Sequence, residues 1–336
     1  MGRAKRRWVN QYHGSTHLIS RITGGSFLLK DAEKEYFVKL MFRFAKGFFI
    51  DIHSYTIMSN HFHILATELN EDAQNASKDD LIARYKNIYG KNSEFPEGSF
   101  KNNGEIIPDA DGGIERLRFR LGSISRFVQE LKQTFSKWYN VKYNRRGYLW
   151  SDRFKGIIME KGDPELICSA YIDLNPVRAG IVKKPEDYRW SSIGLRVRNP
   201  KRAYKILKKI LITERKVITK VDERTGWIKQ RSEIKQKEVS FSTYRVFLYK
   251  SGCIEVENKA VIHMDICKDA INLNGKLKLG DKLKYRFRNL SEGIATGSYQ
   301  FIANIQLELE RKYRKPRIII DGEDNKLYST RRLKPI

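Results

Sequence analysis

Apolar positions change period several times along the chain, and each change marks an element. Thr16 to Ile22 reads as a strand, and Gly24-Gly25 then turns the chain. Asp31 to Lys46 carries Tyr36, Leu40 and Phe44 at helical spacing, which predicts a helix with Asp31 as its N-cap. Asp51 to Met58 predicts a second strand, Ser59-Asn60 a turn, and His61 to Thr67 a third strand returning beside it. From Ile124 to Tyr143 the helical period returns, with Phe127, Leu131, Phe135 and Trp138 on one face and Lys132 and Lys137 off it, where they can meet phosphate. Gly156 to Glu160 predicts a strand. Asp163-Pro164 then opens a helix to about Leu174, with Asp163 as N-cap and the proline at its first position. Strands and helices in this order predict an α+β fold, a central antiparallel sheet with flanking helices.

Two stretches break the pattern. Residues 69–118 are polar and rich in Asn, Asp, Gly and Lys, and they read as an insertion with one short helix near Asp79–Tyr89 and loops elsewhere. After Pro200 the chain turns basic, with Lys205, Lys208, Lys209, Arg215, Lys216 and Lys220. Short alternating runs such as Tyr244–Tyr249 follow, and the segment from Gly293 to Ile302 leads into a helix through about Tyr313. The expected organisation is a domain over 1–195 that carries the insertion, and a smaller basic module over 200–336.

Charge then narrows the partner. Lys+Arg number 65 and Asp+Glu 39 among 336 residues, a net charge of +26. That excess points to a polyanion, and binding should weaken steeply with salt as phosphate counterions are released. The basic start, Met1 to Trp8, is either a DNA-contacting arm or a solvated tail. No apolar core follows it and no long apolar run exists, so neither a signal peptide nor a membrane span is expected. Cys168, Cys253 and Cys267 are scattered and odd in number, which suggests no disulfide framework and fits a reducing cytoplasm.

The candidate chemistry lies in two short motifs. Residues i and i+2 of a strand point to one face, so His61 and His63 can offer two imidazoles to one metal ion while Phe62 turns into a core. The alternative is two polar residues on a solvated hairpin face. Tyr171 lies four residues before Asn175, on one helical face if the helix reaches that far. Tyr171 is then a nucleophile or a core aromatic, and Asn175 an oxygen ligand or the cap of a helix beginning at Pro176. In the aromatic-basic segment Tyr148–Lys155, Trp150 can stack on a base while Arg153 and Lys155 meet phosphates. Otherwise Trp150 and Phe154 belong to the core and the cations to solvent. Arg178 is a further phosphate candidate.

Ser59-Asn60-His61-Phe62-His63-Ile64-Leu65 resembles the metal motif of single-tyrosine HUH transposases. The run Ala170 to Val182, with Pro185 to Ser192, is similar to the signature of the REP-associated tyrosine transposases. The resemblance covers roughly residues 8–195. It implies a ferredoxin-like HUH domain, Mg2+ or Mn2+, single-stranded DNA with a hairpin as substrate, and a 5′-phosphotyrosine intermediate. His61 and His63 take the place of the histidine pair and Tyr171 that of the nucleophile, while Asn175 falls where relatives place a polar helper ligand. A strand transferase is the expected function, a non-catalytic repressor or architectural factor the alternative, and a binder or nuclease for structured RNA a third reading. The insertion and the extension beyond 200 exceed the compact family core, and the sequence leaves the oligomeric state open.

Overall fold

The computed structural model describes residues 14–90, 100–102, 105–107, 113–221, 228–271, 295–308, 317–320 and 327–330. The basic start of the chain, Met1 to Trp8, lies outside them. The elements are, in order, β1 (Ser15–Arg21), α1 (Asp31–Gly47), β2 (Ile50–Ile57), β3 (His61–Glu68), α2 (Asn70–Asn75), α3 (Lys78–Tyr89), β4 (Phe100–Asn102), β5 (Glu105–Ile107), α4 (Ile114–Leu121) and α5 (Ile124–Lys142). Then come β6 (Lys155–Met159), α6 (Asp163–Arg178), α7 (Ser192–Arg198), α8 (Pro200–Ile206), β7 (Leu211–Val221) and β8 (Ile228–Glu238). The last are α9 (Phe241–Gly252), α10 (Met264–Ile271), β9 (Ala295–Gly297), α11 (Tyr299–Glu308), β10 (Arg317–Ile320) and β11 (Leu327–Thr330). The fold is α+β with mainly antiparallel strand pairing and flanking helices, as the periodicity predicts.

Contacts divide the chain into two units that interleave in sequence. One holds Thr16–Gly156 and Glu186–Lys208; the other holds Met1–Ser15, Ile157–Pro185 and Lys209–Ile336. One border between the units, Lys208/Lys209, falls close to the border expected near residue 200, and Ile157–Pro185 groups with the residues beyond it. The helix carrying Tyr171 belongs with the C-terminal residues, not with the histidine strand.

In the first unit β3 lies between β1 and β2, antiparallel to both, with Arg21 opposite His61 and Ile19 and Thr56 opposite His63. Alternation sends Leu18, Phe62 and Ile64 to the other face, where all three are fully buried. That face meets the helices: Phe62 lies 5.1 Å from Phe37 of α1 by ring centroid, and Phe37 lies 5.1 Å from Phe135 of α5. α1 buries Phe37, Leu40, Met41 and Phe44, whose spacing is the helical period. Its cap differs from expectation. Lys30 is the N-cap residue and Asp31 is already helical, because the Glu33 carboxylate accepts the Lys30 amide proton at 3.1 Å.

The insertion is more ordered than its composition suggests. Besides α3 it forms α2, α4 and the short β4–β5 pair. Few apolar residues suffice, since Leu81, Ile88, Leu117 and Leu121 all turn inward.

In the second unit α6 is buried along most of its length. Gly162 is its N-cap residue and Asp163 its first helical one, so the helix begins one position earlier than expected. The helix also runs through Pro176 to Arg178 rather than ending near Leu174. Burial of Leu174 and Val177 offsets the hydrogen bond that proline removes. The end is a Schellman closure on Gly180 (φ 70°): the Ile181 amide donates to Pro176 at 2.9 Å and the Gly180 amide to Val177 at 2.8 Å. Tyr244–Tyr249 lies in helix α9, capped by Ser240, because Tyr244 and Leu248 stack inward at i and i+4. β9 runs parallel to β6, β11 antiparallel to β9, and β10 antiparallel to β11. β7 and β8 form a long hairpin.

Cys253 and Cys267 form a disulfide with Cα atoms 6.6 Å apart, and Cys168 is free and buried. The scattered cysteines suggest no disulfide framework, yet packing of α10 on α9 brings together two of them that are 14 residues apart in sequence. No helix among the described residues is long and apolar enough to cross a membrane.

Candidate metal and nucleic-acid site

β3 begins at His61, directly after a turn that Asn60 locks in place. The Asn60 carbonyl accepts from the Ile22 amide at 2.8 Å, and its side-chain Nδ2 donates to the Gly25 carbonyl at 3.1 Å. With Nδ2 so directed, Oδ1 faces His61 Nδ1 at 2.6 Å. An amide oxygen only accepts, so His61 carries its proton on Nδ1 and its lone pair on Nε2.

His63 is anchored by a different partner. Its Nδ1 lies 2.9 Å from Nε2 of His17 on β1, the diagonal neighbour on the same face of the sheet. Both rings are buried, His17 at 0% and His63 at 4% exposure. Burial first, then the electrostatic cost of a further proton beside His17, His61 and Arg21, holds the His63 pKa well below that of an ordinary imidazole. His63 is therefore neutral, the form a metal requires. When it donates Nδ1–H to His17, its lone pair also lies on Nε2.

Both imidazoles are thus fixed through Nδ1 by a neighbouring side chain, the outer-shell arrangement that orients histidine ligands. Their centroids lie 5.0 Å apart with planes at 86°. His61 is half-exposed, so the pair opens toward solvent. Among the described residues no group of three His, Cys, Asp or Glu side chains is arranged to hold a metal. His17 turns its Nε2 to His63 instead. An ion held by two imidazoles keeps positions for substrate, as a Lewis acid needs.

On α6, Tyr171, Asn175 and Arg178 are half-buried, while every residue between them is buried. They recur at i, i+4 and i+7, a single stripe along the helix. Asn175 does not cap a new helix. Its Nδ2 donates to the Tyr171 carbonyl at 2.9 Å, which turns Oδ1 away from the helix backbone. The helix is held from below: the Tyr244 hydroxyl donates to the fully buried Asp173 carboxylate at 2.7 Å. Arg178, expected to meet phosphate, is engaged within the protein. Its guanidinium donates to the Ser251, Ile254 and Ala260 carbonyls at 2.8, 2.9 and 3.3 Å, and burial draws its pKa down to about 10. It clamps the chain beyond α9 onto α6.

The aromatic-basic segment also divides. Trp150 is a core residue at 8% exposure, donating Nε1–H to the Lys132 carbonyl at 3.2 Å amid Phe37, Phe62 and Phe135. Its ring sits where the core alternative places it. Lys132 too is buried, donating to the Asp152 carbonyl at 2.6 Å, so it does not reach outward as expected. Arg153, Lys155 and Lys137 are exposed.

Two site residues escaped the sequence reading, Asn60 and His17. His17 sits 46 residues before His63, and the signal was faint: a histidine inside a strand otherwise alternating apolar and small residues.

No protein-family model matches the chain. No curated protein matches it. Among solved structures, one of a REP-associated tyrosine transposase bound to a REP hairpin is similar at 14% identity and a TM-score of 0.38, covering 60% of this chain and 87% of that one.

Proposed function

We propose that this chain is a metal-dependent endonuclease and strand transferase for single-stranded, hairpin-containing DNA. The observation that carries the reading is the pair of anchored imidazoles, His61 and His63, adjacent on one strand face with each Nδ1 engaged by Asn60 or His17. They would hold Mg2+ or Mn2+, with the Asn175 oxygen as a further ligand. Mixed nitrogen and oxygen donors leave both ions open, and the motif resemblance favours them over zinc. The bound ion would draw charge from a non-bridging phosphate oxygen. Tyr171 Oη attacks phosphorus and gives up its proton; the bond to the 3′ oxygen breaks, and that oxygen takes up a proton. The 5′ phosphate stays on the tyrosine. Attack by another 3′-hydroxyl reverses the step, so strands are rejoined without a nucleotide cofactor. The net charge of +26 supplies attraction for the polyanion.

The test is incubation of the full chain with labelled DNA hairpins and Mn2+ or Mg2+, followed by a denaturing gel. A protein–DNA adduct is expected, lost completely in Tyr171→Phe while that variant still binds Mn2+ in calorimetry. An adduct that persists in Tyr171→Phe overturns the nucleophile. Tight binding with no adduct under any divalent ion would instead support a non-catalytic nucleic-acid-binding protein.

A further inference from the structure

We infer that two adjacent loops of the histidine unit form a stacking rim for an unpaired polynucleotide strand, with Tyr148 and Phe27 as its base platforms. This rests on the proposed function for the strand being DNA. Both side chains are large, aromatic and turned to solvent, Tyr148 at 90% and Phe27 at 76% exposure. They lie 121 residues apart in sequence (148 − 27), yet backbone bonds stitch their loops together. The Thr23 amide donates to the Leu149 carbonyl at 2.9 Å, the Thr23 hydroxyl to the Tyr148 carbonyl at 3.5 Å, and the Ser151 amide to the Arg21 carbonyl at 3.0 Å. Ile22 and Trp150 form an isolated antiparallel bridge between the same two segments.

The rim is basic and continuous with the histidines. From Arg145 to Lys155 the chain carries four cations, Arg145, Arg146, Arg153 and Lys155, against one carboxylate, Asp152. All five are exposed. Arg21 is exposed as well and stands opposite His61 in the sheet. Asn60 links the rim to the metal-binding pair, since one side chain holds both the Gly25 carbonyl and His61 Nδ1.

This combination fits one occupant. Cations beside exposed aromatics suit a strand whose phosphates are anionic and whose unstacked bases each offer a flat face. A closed duplex hides those faces, so the rim should ignore it. The loop's conformation also agrees with a preformed platform: Gly147, immediately before Tyr148, takes φ 93°, which other residues rarely adopt.

The experiment is fluorescence anisotropy of the full chain with labelled oligo-dT, a blunt DNA duplex and oligo-rU, in chelator so that no adduct forms. Tyr148→Ala and Phe27→Ala are each expected to weaken oligo-dT binding about tenfold, as loss of one stacked base does, with Tyr148→Phe binding as wild type and duplex binding unchanged. Unchanged thermal melting establishes that the variants fold. If both alanine variants bind oligo-dT as wild type does, the rim is overturned. If oligo-rU binds tighter and shows the same losses, DNA as the occupant is overturned. The proposed function fails separately: an absent adduct with intact rim effects removes catalysis and leaves the rim, whereas a normal adduct without rim effects does the reverse.

Discussion

His61 takes its orientation from the residue beside it, Asn60, and His63 from the strand alongside. Tyr171 takes its own from residues far downstream: Asp173 and Arg178 of its helix are bonded to Tyr244, Ser251, Ile254 and Ala260, at separations of 71 to 82 positions. The histidines are set by register, which a few ladder bonds determine. The tyrosine helix is set by a buried carboxylate and a clamped guanidinium, groups costly to leave unpaired. The two regions should therefore fail differently when perturbed.

Removing the clamp is the harshest break. Arg178→Met should lower stability by about 3 kcal/mol, the scale of hydrogen bonds from a charged group to partly buried acceptors, read as a shift in the urea midpoint. Adduct formation should fall with it, and Mn2+ affinity should fall less, because two of the three proposed ligands, His61 and His63, lie on β3. An equal loss of Mn2+ affinity would show that the two regions are not independent.

Glu165 sharpens the same contrast through pH. Burial raises its pKa from the ordinary 4.5 to about 7, and the residue is 2% exposed. The folded state thus holds a proton that the unfolded state releases near pH 4.5, so stability falls as pH rises from about 4.5 to about 7 and stays reduced above. The full cost is about 3 kcal/mol. Glu165→Gln should leave stability unchanged at pH 4 and raise it by about that amount at pH 8, measured by denaturant titration. A gain that is the same at both pH values would locate the effect in packing rather than in protonation.

The smallest effect is expected at the histidines. His17→Phe and Asn60→Ala should each weaken Mn2+ binding 10- to 100-fold in calorimetry, the usual cost of losing an outer-shell partner, and move thermal melting less than Arg178→Met does. Unchanged affinity in both variants would mean that the ring orientations hold without these partners.

Much of the framework was legible in the chain. The three strands and the long helices of the histidine unit appear at the predicted places because alternation and helical spacing each select one face to bury. The His61–His63 pair was legible for the same reason. Trp150 and Arg178 were less so. An aromatic beside cations reads equally as a base platform or as a core residue, and only the arrival of Phe37, Phe62 and Phe135 around Trp150 decides. An arginine after a buried helix reads as a phosphate ligand until three distant carbonyls converge on it.

By itself the sequence determined the α+β class, the histidine pair on one strand face, the tyrosine four residues from an asparagine, and an excess of positive charge. These follow from period, spacing and composition, which are local or additive. The tertiary structure alone decided that His17 supports His63, that Tyr148 rather than Trp150 faces solvent, that Cys253 meets Cys267, and that α6 belongs with residues 209–336. Each of these depends on which distant segment packs against which, a choice made by burial over the whole chain and written in no single stretch of it.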